Sequence, residues 1–296
     1  MTEADRVFER FPDFIREYIY SRSWDSLRAV QIAAAKTIFE TDNNLLLTSS
    51  TASGKTEAAF FPILSLMHDD PPASVGVLYI APLKSLINDQ FERLYELLDM
   101  TGIKVTHWHG DVAMSHKKKL LDKPSGILQI TPESLEAMLI NRHNDIPRIF
   151  GDLRFIVIDE IHTLTGTDRG NQIMCLLSRI AAIIGYHPRR IGLSATIGDP
   201  TSAAKWLSAD SGRETDVPTI SQEKIKWRLG VEHFYIQNPD AELKKDTQAT
   251  GLNVSGNKVT AQQADNGDKS NSADQPTSRY MIDPGYEYAY AITLTK

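Results

Sequence analysis

The segment SSTASGKT, residues 49–56, combines residue types that bind phosphate. It follows an apolar run and opens a helical pattern, which is the context that a phosphate-binding loop requires. Backbone N–H groups of such a loop cradle phosphate oxygens. We expect Lys55 to reach the β- and γ-phosphates of a nucleotide and the Thr56 hydroxyl to coordinate Mg²⁺. The residues expected to bind nucleotide here are Thr51, Ala52, Ser53, Gly54, Lys55, Thr56 and Glu57.

This loop departs from the strict phosphate-binding pattern, because Ser49 stands where that pattern has its first glycine. Taken alone, the segment is also compatible with a plain glycine-containing turn before a helix. A second motif is therefore needed to favour nucleotide chemistry.

The second motif is a pair of carboxylates, Asp159 and Glu160, directly after the apolar run FIVI. A buried strand that delivers two acidic residues to its end is costly unless a cation accompanies them. We expect Asp159 to hold Mg²⁺, usually through water, and Glu160 to orient or deprotonate an attacking water molecule. Without the phosphate-binding loop, a solvated turn is the plainer interpretation of this pair.

Three further strand ends carry small, hydroxyl-bearing or proline-containing turns. LSAT, residues 193–196, could connect a nucleotide site to another face of the protein. APLKSL, residues 81–86, and TPESL, residues 131–135, place hydroxyl and backbone donors at helix starts, where phosphate oxygens bind. Each of them alone is more simply a small-residue turn or a capped helix.

Apolar runs that alternate with amphipathic stretches must position these motifs. Continuous apolar strands interleaved with helices predict an α/β fold, in which a doubly wound, mostly parallel sheet carries helices on both faces. Ligands of such sheets bind outside the carboxyl ends of the strands, where every motif above falls. The predicted strands are residues 44–49, 76–82, 104–110, 126–132, 153–160 and 189–196, and residues 83–100 are a predicted helix.

A domain edge is expected near residues 208–216. We therefore predict one domain over residues 1–212 and a connecting region over 213–296. The connecting region begins with a strand near 225–237. Residues 238–278 are so polar that they cannot bury enough surface to offset their ordering entropy, which predicts a flexible insertion.

Composition excludes several classes of protein. The net charge of −6 argues against nucleic-acid binding by bulk positive charge, although a local groove needs only a few donors. One cysteine, Cys175, cannot form a disulfide framework within the chain and fits a reducing compartment. The sequence has no signal-like leader and no apolar run long enough for a membrane span. We expect a cytoplasmic protein.

The order and spacing of TASGKT, APLKSL, TPESL, DEIH and LSATIG resemble motifs I, Ia, Ib, II and III of superfamily 2 helicases. DEIHTLTGTDRGNQ and RRIGLSATIG look most like the Lhr-type large helicases of the DEAD/DEAH-box (DExH) class. The resemblance covers roughly residues 25–210. It implies a RecA-like P-loop NTPase domain, the first of the two in such a motor, with ATP and Mg²⁺ as cofactors.

The resemblance also implies residue roles. Gln31 looks like the glutamine that reads adenine, and either Phe14 or Trp24 could stack on the base. His162 is similar to the residue that couples the acidic box to the third motif. Ser194 and Thr196 would relay the nucleotide state. The residues that would contact the backbone of a single nucleic-acid strand, DNA or RNA, are Pro82, Lys84, Ser85, Gly110, Thr131 and Pro132.

A superfamily 2 motor needs a second RecA-like domain, and nothing after residue 200 resembles its motifs. That domain supplies arginines to the phosphates, and such an arginine contributes about 10³–10⁵ in rate. We therefore expect an ATP-dependent helicase or translocase domain that hydrolyses ATP weakly alone. Two alternatives stay open: a module that binds nucleotide and nucleic acid without turnover, and a P-loop phosphotransferase acting on a small molecule.

Overall fold

A computed structural model describes residues 2–49, 53–83, 97–99 and 101–219 with their side chains, and the backbone of residues 228–235 and 288–295. The chain divides into two units, Met1–Ser221 and Gln222–Lys296. The first unit carries every motif identified above. Its α-helices are α1 (Glu3–Arg10), α2 (Asp13–Ser21), α3 (Ala29–Glu40), α4 (Lys55–Asp69), α5 (Met114–Asp122), α6 (Pro132–Asn141), α7 (Ile146–Phe150), α8 (Asp168–Ile184) and α9 (Pro200–Ser208).

The first unit is built around a seven-stranded sheet in the order β3-β4-β2-β5-β6-β1-β7. Each neighbouring pair in this sheet is parallel. The predicted α/β class with a mostly parallel sheet is therefore confirmed. The strands are β1 (Asn44–Thr48), β2 (Val75–Ile80), β3 (Val105–Trp108), β4 (Gly126–Ile130), β5 (Phe155–Ile158), β6 (Arg189–Ser194) and β7 (Thr215–Asp216).

The sheet is covered on both faces, because successive residues of each central strand enter two different cores. Leu45 and Leu47 of β1 join the core beneath α1 to α4, whereas Leu46 joins the core beneath α6 to α9. All three leucines are fully buried. This is why the strands read as continuous apolar runs instead of alternating ones.

Local sequence explains where several helices begin and end. Thr131 caps α6 by accepting a hydrogen bond from the Ser134 N–H, and Pro132 occupies the first turn. Thr167 caps α8 in the same way, through the Gly170 N–H at 3.1 Å. That helix ends at Gly185, whose φ of 84° is the left-handed conformation that glycine adopts most readily.

One predicted strand is shorter in the structure, and two predicted segments lie wholly or mostly outside the described residues. Strand β3 ends at Trp108 and not at Gly110, so the residues that follow it form a turn. Most of the predicted helix over residues 83–100 lies outside the described residues, as does the polar segment 238–278. Strand β7 pairs with β1 although it follows the predicted domain edge at residue 212.

The second unit shows one antiparallel pair of strands, β8 (Arg228–Tyr235) and β9 (Tyr288–Thr295). Their register pairs Arg228 with Thr295 and Tyr235 with Tyr288. Among the described residues of the chain, no helix is both long and apolar enough to cross a membrane.

Two neighbouring arginines on β6 close the ends of helices on opposite faces of the sheet. Arg189 donates to the carbonyls of Thr37 and Ile38, at 3.0 and 2.9 Å, in the last turn of α3. Arg190 donates to the carbonyl of Leu207, at 3.0 Å, at the end of α9. Burial lowers the pKa of both guanidinium groups to about 10, so both stay charged at neutral pH.

Candidate nucleotide and nucleic-acid site

The strand order brings four motif-bearing strand ends side by side. Strands β2, β5, β6 and β1 are consecutive in the sheet and parallel, so their carboxyl ends share one edge. The loops that follow them begin at Ala81, Asp159, Ala195 and Ser49. Residues that are more than a hundred positions apart in the sequence therefore meet at one place, where parallel sheets bind ligands.

The phosphate-binding loop is closed by its own serines. Ser49 follows β1 and is buried, and its hydroxyl forms a 2.6 Å hydrogen bond with that of Ser53. Gly54 then takes a φ of 84° before α4 begins at Lys55. The serine at the first position of the loop thus has a structural role that a glycine could not fill. Thr51 and Ala52, which are also predicted to bind phosphate, lie outside the described residues.

Lys55 lies at the amino end of α4 and points back across the loop. Its Nζ donates a 2.8 Å hydrogen bond to the carbonyl oxygen of Ser49. Burial lowers the pKa of this ammonium group, while the nearby Glu160 and Asp159 act in the opposite direction. A phosphate oxygen would be a stronger partner for the ammonium group than a neutral carbonyl. Thr56 and Glu57 follow in the same helical turn, half-buried.

Gln31 approaches the loop from the first turn of α3. A Cβ placed on Gly54 would lie 3.2 Å from Gln31 Nε2, so this position leaves little space for a side chain. The Oε1 of Gln31 accepts a 2.9 Å hydrogen bond from the Arg28 N–H. Its Nε2 is buried and has no hydrogen-bond partner among the described residues. A buried donor without a partner is unfavourable, so a ligand acceptor such as a base nitrogen fits here.

The two aromatic candidates for base stacking are partly buried and engaged with other side chains. Phe14 packs on His68, with ring centroids 5.5 Å apart. Trp24 packs on Tyr18 at 6.2 Å and lies beneath the guanidinium of Arg28. Nothing in these contacts selects one of the two rings, and the choice left open by the sequence stays open.

Asp159 is buried, and each of its carboxylate oxygens has a donor. Oδ1 accepts the Glu160 N–H at 2.8 Å, and Oδ2 accepts the hydroxyl of Tyr79 on β2. Burial raises the pKa of Asp159, and these hydrogen bonds together with Lys55 oppose that rise. A carboxylate that burial disfavours is one that a cation stabilises.

Glu160 occupies the left-handed region of the backbone, with a φ of 52°. A non-glycine residue there costs of order 1–3 kcal/mol, and such conformations cluster at functional sites. The carboxylate is about one third exposed, so it can meet a ligand from solvent. The turn therefore separates the two acidic side chains, leaving Asp159 buried and Glu160 open.

The set of donors fits a magnesium–nucleotide complex. Mg²⁺ is usually bound through one or two carboxylates together with substrate phosphates and water, and not by an all-protein cage. Asp159 and the hydroxyl of Thr56 are oxygen groups that could serve as ligands of that kind. The described residues contain no cluster of three or more histidine, cysteine, aspartate or glutamate side chains that could hold a metal ion.

His162 links the acidic turn to the end of β6. Its Nδ1 lies 3.2 Å from Glu160 Oε2, 3.4 Å from Ser194 Oγ and 3.3 Å from the backbone nitrogen of Ala195. Nδ1 accepts from the Ala195 N–H when the ring nitrogen is unprotonated, and donates to Glu160 when it carries a proton. Thr196 lies beyond β6, is exposed, and has no hydrogen bond among the described residues.

The predicted nucleic-acid residues fall on the β2–β4–β3 side of the same edge. Pro82 is buried just after β2, Gly110 is exposed just after β3, and Thr131 follows β4. The Thr131 hydroxyl is engaged with Ser134 as a helix cap, and Pro132 is buried in the first turn of that helix. Lys84 and Ser85 lie outside the described residues.

Sequence reasoning missed two residues at this edge. Tyr79 interrupts the apolar run of β2, and a buried tyrosine hydroxyl usually has a partner, which is the signal that could have identified it. Arg169, after the acidic box, pairs with Glu133 at 2.7 Å and thereby connects the starts of α8 and α6.

Known proteins similar to this chain include helicases. The family model described as DEAD/DEAH box helicase matches residues 28–203. The ATP-dependent helicase Lhr-Core of Methanocaldococcus jannaschii is 31% identical over 261 residues, covering 81% of this chain and 30% of its own length. The chain thus spans less than a third of that relative.

Two solved structures are also similar to this chain. Mycobacterium smegmatis helicase Lhr bound to ssDNA and AMP-PNP is 28% identical with a TM-score of 0.63, and the match covers 73% of this chain and 29% of that one. Helicase MrfA bound to DNA is 28% identical with a TM-score of 0.62, over 71% and 29% of the two chains. The motifs, the parallel sheet and the family match together show that the chain belongs to the DEAD/DEAH box helicases, as an Lhr-like first RecA-like domain.

Proposed function

We propose that this chain is the ATP-binding half of a nucleic-acid helicase or translocase motor. It binds ATP with Mg²⁺ and contacts the backbone of a single nucleic-acid strand. The observation that carries the proposal is the convergence of Lys55, Asp159 and Glu160 at the carboxyl edge of the parallel strands β5, β6 and β1. The two carboxylates oppose the lowering of the Lys55 pKa by burial, as acidic groups near an ammonium do. A cation and two acidic groups at one end of a parallel sheet suit a phosphate ester and its metal ion.

Each residue has a distinct task in this proposal. Lys55 and the N–H groups of the loop hold the β- and γ-phosphates, and Gln31 donates through Nε2 to the adenine base. Thr56 and Asp159 would hold Mg²⁺, and the ion would neutralise phosphate charge. Glu160 orients the attacking water and accepts its proton. Glu57 and the loop residues 51–54 complete the phosphate cradle.

Coupling between nucleotide and nucleic acid is assigned to His162. Its ring nitrogen lies between the carboxylate of Glu160 and the backbone after Ser194, so a change in the charge around Glu160 changes which contact Nδ1 makes. Ser194 and Thr196 would carry that change along the sheet edge. The described hydrogen bonds of His162 reach Ser194 and Ala195 but not Thr196, so a contribution of Thr196 requires a rearrangement.

Binding of nucleic acid is proposed to be independent of base sequence. Residues Pro82, Gly110 and Thr131 border one sheet edge, and phosphate contacts carry no sequence information. Two similar structures were solved with DNA or ssDNA bound, which supports a nucleic-acid ligand for this chain.

A complete motor would contain a second RecA-like domain besides the one described above. We assign residues 1–212 to the motor domain and 213–296 to a connection towards a second RecA-like domain that supplies arginines. Without those arginines we expect hydrolysis to be slow, by about 10³–10⁵-fold. The match covers 30% of one Lhr-Core relative and 23% of another. The remaining length of these relatives leaves room for such a domain. The exposed free thiol of Cys175 suits a reducing, cytoplasmic location.

The alternative is a module that binds nucleotide and nucleic acid without turnover. The chain has all four residues that turnover needs, namely Lys55, Thr56, Asp159 and Glu160. Lys55 lies near both carboxylates. A module without turnover would have no use for Glu160, so the alternative is disfavoured.

The test of the proposal is binding of a fluorescent ATP analogue to the 296-residue chain, followed by ATP hydrolysis with and without single-stranded DNA and RNA. We expect nucleotide binding that Mg²⁺ strengthens and that is lost on Lys55→Ala, together with slow hydrolysis and no strand separation. Absence of nucleotide binding would sink the proposal. Robust unwinding by the chain alone would refute the need for a second domain.

The nucleic-acid contacts lead to a separate prediction. Lys84→Ala should weaken the binding of single strands. It should also make the negative slope of the logarithm of the association constant against log salt shallower by about 0.7, the value of one phosphate contact. ATP-analogue binding should be unchanged. The matched control is Lys104→Ala, an exposed lysine at the opposite, amino end of β3. Equal salt slopes for wild type and Lys84→Ala, measured by fluorescence anisotropy at several salt concentrations, would refute the contact.

A further inference from the structure

Tyr79 is a fully buried tyrosine near the carboxyl end of β2 whose hydroxyl is directed to the acidic turn. That hydroxyl donates to Oδ2 of Asp159 on the neighbouring strand end. The backbones are joined beside it, because the Asp159 N–H donates to the Ile80 carbonyl at 2.9 Å. Strand β2 therefore holds Asp159 by its main chain and by its side chain.

The two oxygens of the Asp159 carboxylate are held from different directions. Oδ2 receives the phenol hydroxyl, and Oδ1 receives the Glu160 N–H at 2.8 Å. Two donors on the two oxygens fix the rotation of a carboxylate about its Cβ–Cγ bond. Partners of this kind, one step removed from a metal, orient its ligands and tune how well they bind it.

The tyrosine ring is in turn placed by the helix that follows the phosphate-binding loop. Its centroid lies 6.0 Å from that of Phe60, which is buried on α4. Removal of the hydroxyl alone would leave this packing in place. The ring and the hydroxyl can therefore be tested separately, since phenylalanine keeps the first and deletes the second.

We propose that Tyr79 is a positioning residue for the magnesium–nucleotide complex, acting by holding the carboxylate of Asp159 in the orientation that receives the metal. The inference rests on the proposed function. Tyr79 is fully buried and its hydroxyl donates to Asp159, so the loss of that hydroxyl should weaken the contribution of Mg²⁺ to nucleotide binding. Binding of the nucleotide alone, which depends on Lys55 and the loop, should be spared.

The experiment compares the dissociation constant of a fluorescent, non-hydrolysable ATP analogue in EDTA with that in excess Mg²⁺. The readout is the dissociation constant in EDTA divided by that in Mg²⁺, which measures how much Mg²⁺ strengthens binding. In Tyr79→Phe we expect the constant in EDTA to stay unchanged and the ratio to fall by up to about tenfold, the smaller end of the effect seen for such partners of metal ligands. The matched control is Tyr186→Phe, which deletes a hydroxyl that donates to the Leu153 carbonyl at 3.1 Å instead. Its ratio should equal that of wild type.

The outcomes separate this inference from the function on which it rests. An unchanged ratio in Tyr79→Phe, with normal binding by wild type, would overturn the inference alone. Weaker binding in EDTA by the same factor as in Mg²⁺ would also overturn it, because it would show a general structural role. If wild type bound the analogue neither in EDTA nor in Mg²⁺, the proposed function and this inference would both be overturned.

A second comparison applies if Tyr79→Phe does not fold because a buried carboxylate has lost its donor. Asp159→Asn removes that negative charge, and Tyr79→Phe is then introduced into the Asn background. The inference expects the same ratio with and without the tyrosine hydroxyl, because the carboxylate that it positions is gone. A further fall of the ratio would show that Tyr79 acts through another group, and the inference would be rejected.

Discussion

Replacing Glu160 by glutamine is expected to slow ATP hydrolysis by this chain about 10²- to 10⁴-fold, the usual contribution of a general base, and to leave ATP binding intact. Glutamine keeps the size of the side chain but cannot accept a proton from water. The backbone at this position has a positive φ, which glutamine has to adopt just as glutamate does. The substitution therefore removes the chemistry with little change in shape.

The measurement is phosphate release with protein in excess over ATP, so that one slow turnover can be followed with and without single-stranded nucleic acid. The control is Glu9→Gln, which makes the same exchange at an exposed position on α1 and should hydrolyse ATP as wild type does. Equal rates for Glu160→Gln and wild type would assign the attacking water to another group. Loss of ATP binding would instead assign Glu160 to the metal or the phosphates.

The second large effect concerns stability and involves Arg189. Arg189→Met should lower the free energy of unfolding by about 3 kcal/mol, because the carbonyls of Thr37, Ile38 and Asn43 lose their buried donor. The cost of burying a guanidinium, seen in its lowered pKa, offsets part of this loss. Methionine fills similar volume, so the cavity contribution stays small. Because the arginine closes the end of α3, the helix that carries Gln31, the loss should also weaken the proposed contact of Gln31 with adenine.

Urea unfolding followed by circular dichroism, without nucleotide, tests this prediction. Arg189→Lys should fall between wild type and Arg189→Met, since an ammonium keeps the charge but cannot reach three carbonyls in the fixed geometry of a guanidinium. Arg16→Met is the surface control: it breaks an exposed ion pair with Asp13 and should change stability by less than about 1 kcal/mol. Unchanged stability of Arg189→Met would mean that water satisfies the freed carbonyls at no net cost.

The sequence alone was sufficient for the class of fold and for which motif residues lie at the carboxyl edge of the sheet. Runs such as LLL in β1 and FIVI in β5 are short and apolar without interruption, a pattern that is typical of strands buried on both faces. Residues that follow such strands have to lie at their carboxyl ends. The positions of Lys55, Asp159 and Glu160 at one edge follow from that local rule, which needs no knowledge of strand order.

Only the tertiary structure decided which side chains meet. The order β2-β5-β6-β1 brings Tyr79 to Asp159 and His162 to Ser194. Arg189 and Arg190 lie on opposite faces of β6 by simple alternation, but the packing of the helices decides that they meet the ends of α3 and α9. The folding of α3 over the loop likewise places Gln31 against Gly54. Strand order and register depend on crossovers and on the packing of the whole core, whereas periodicity reports only the face that each residue occupies. For that reason the sequence determined the chemical groups at this edge, and the fold determined their partners.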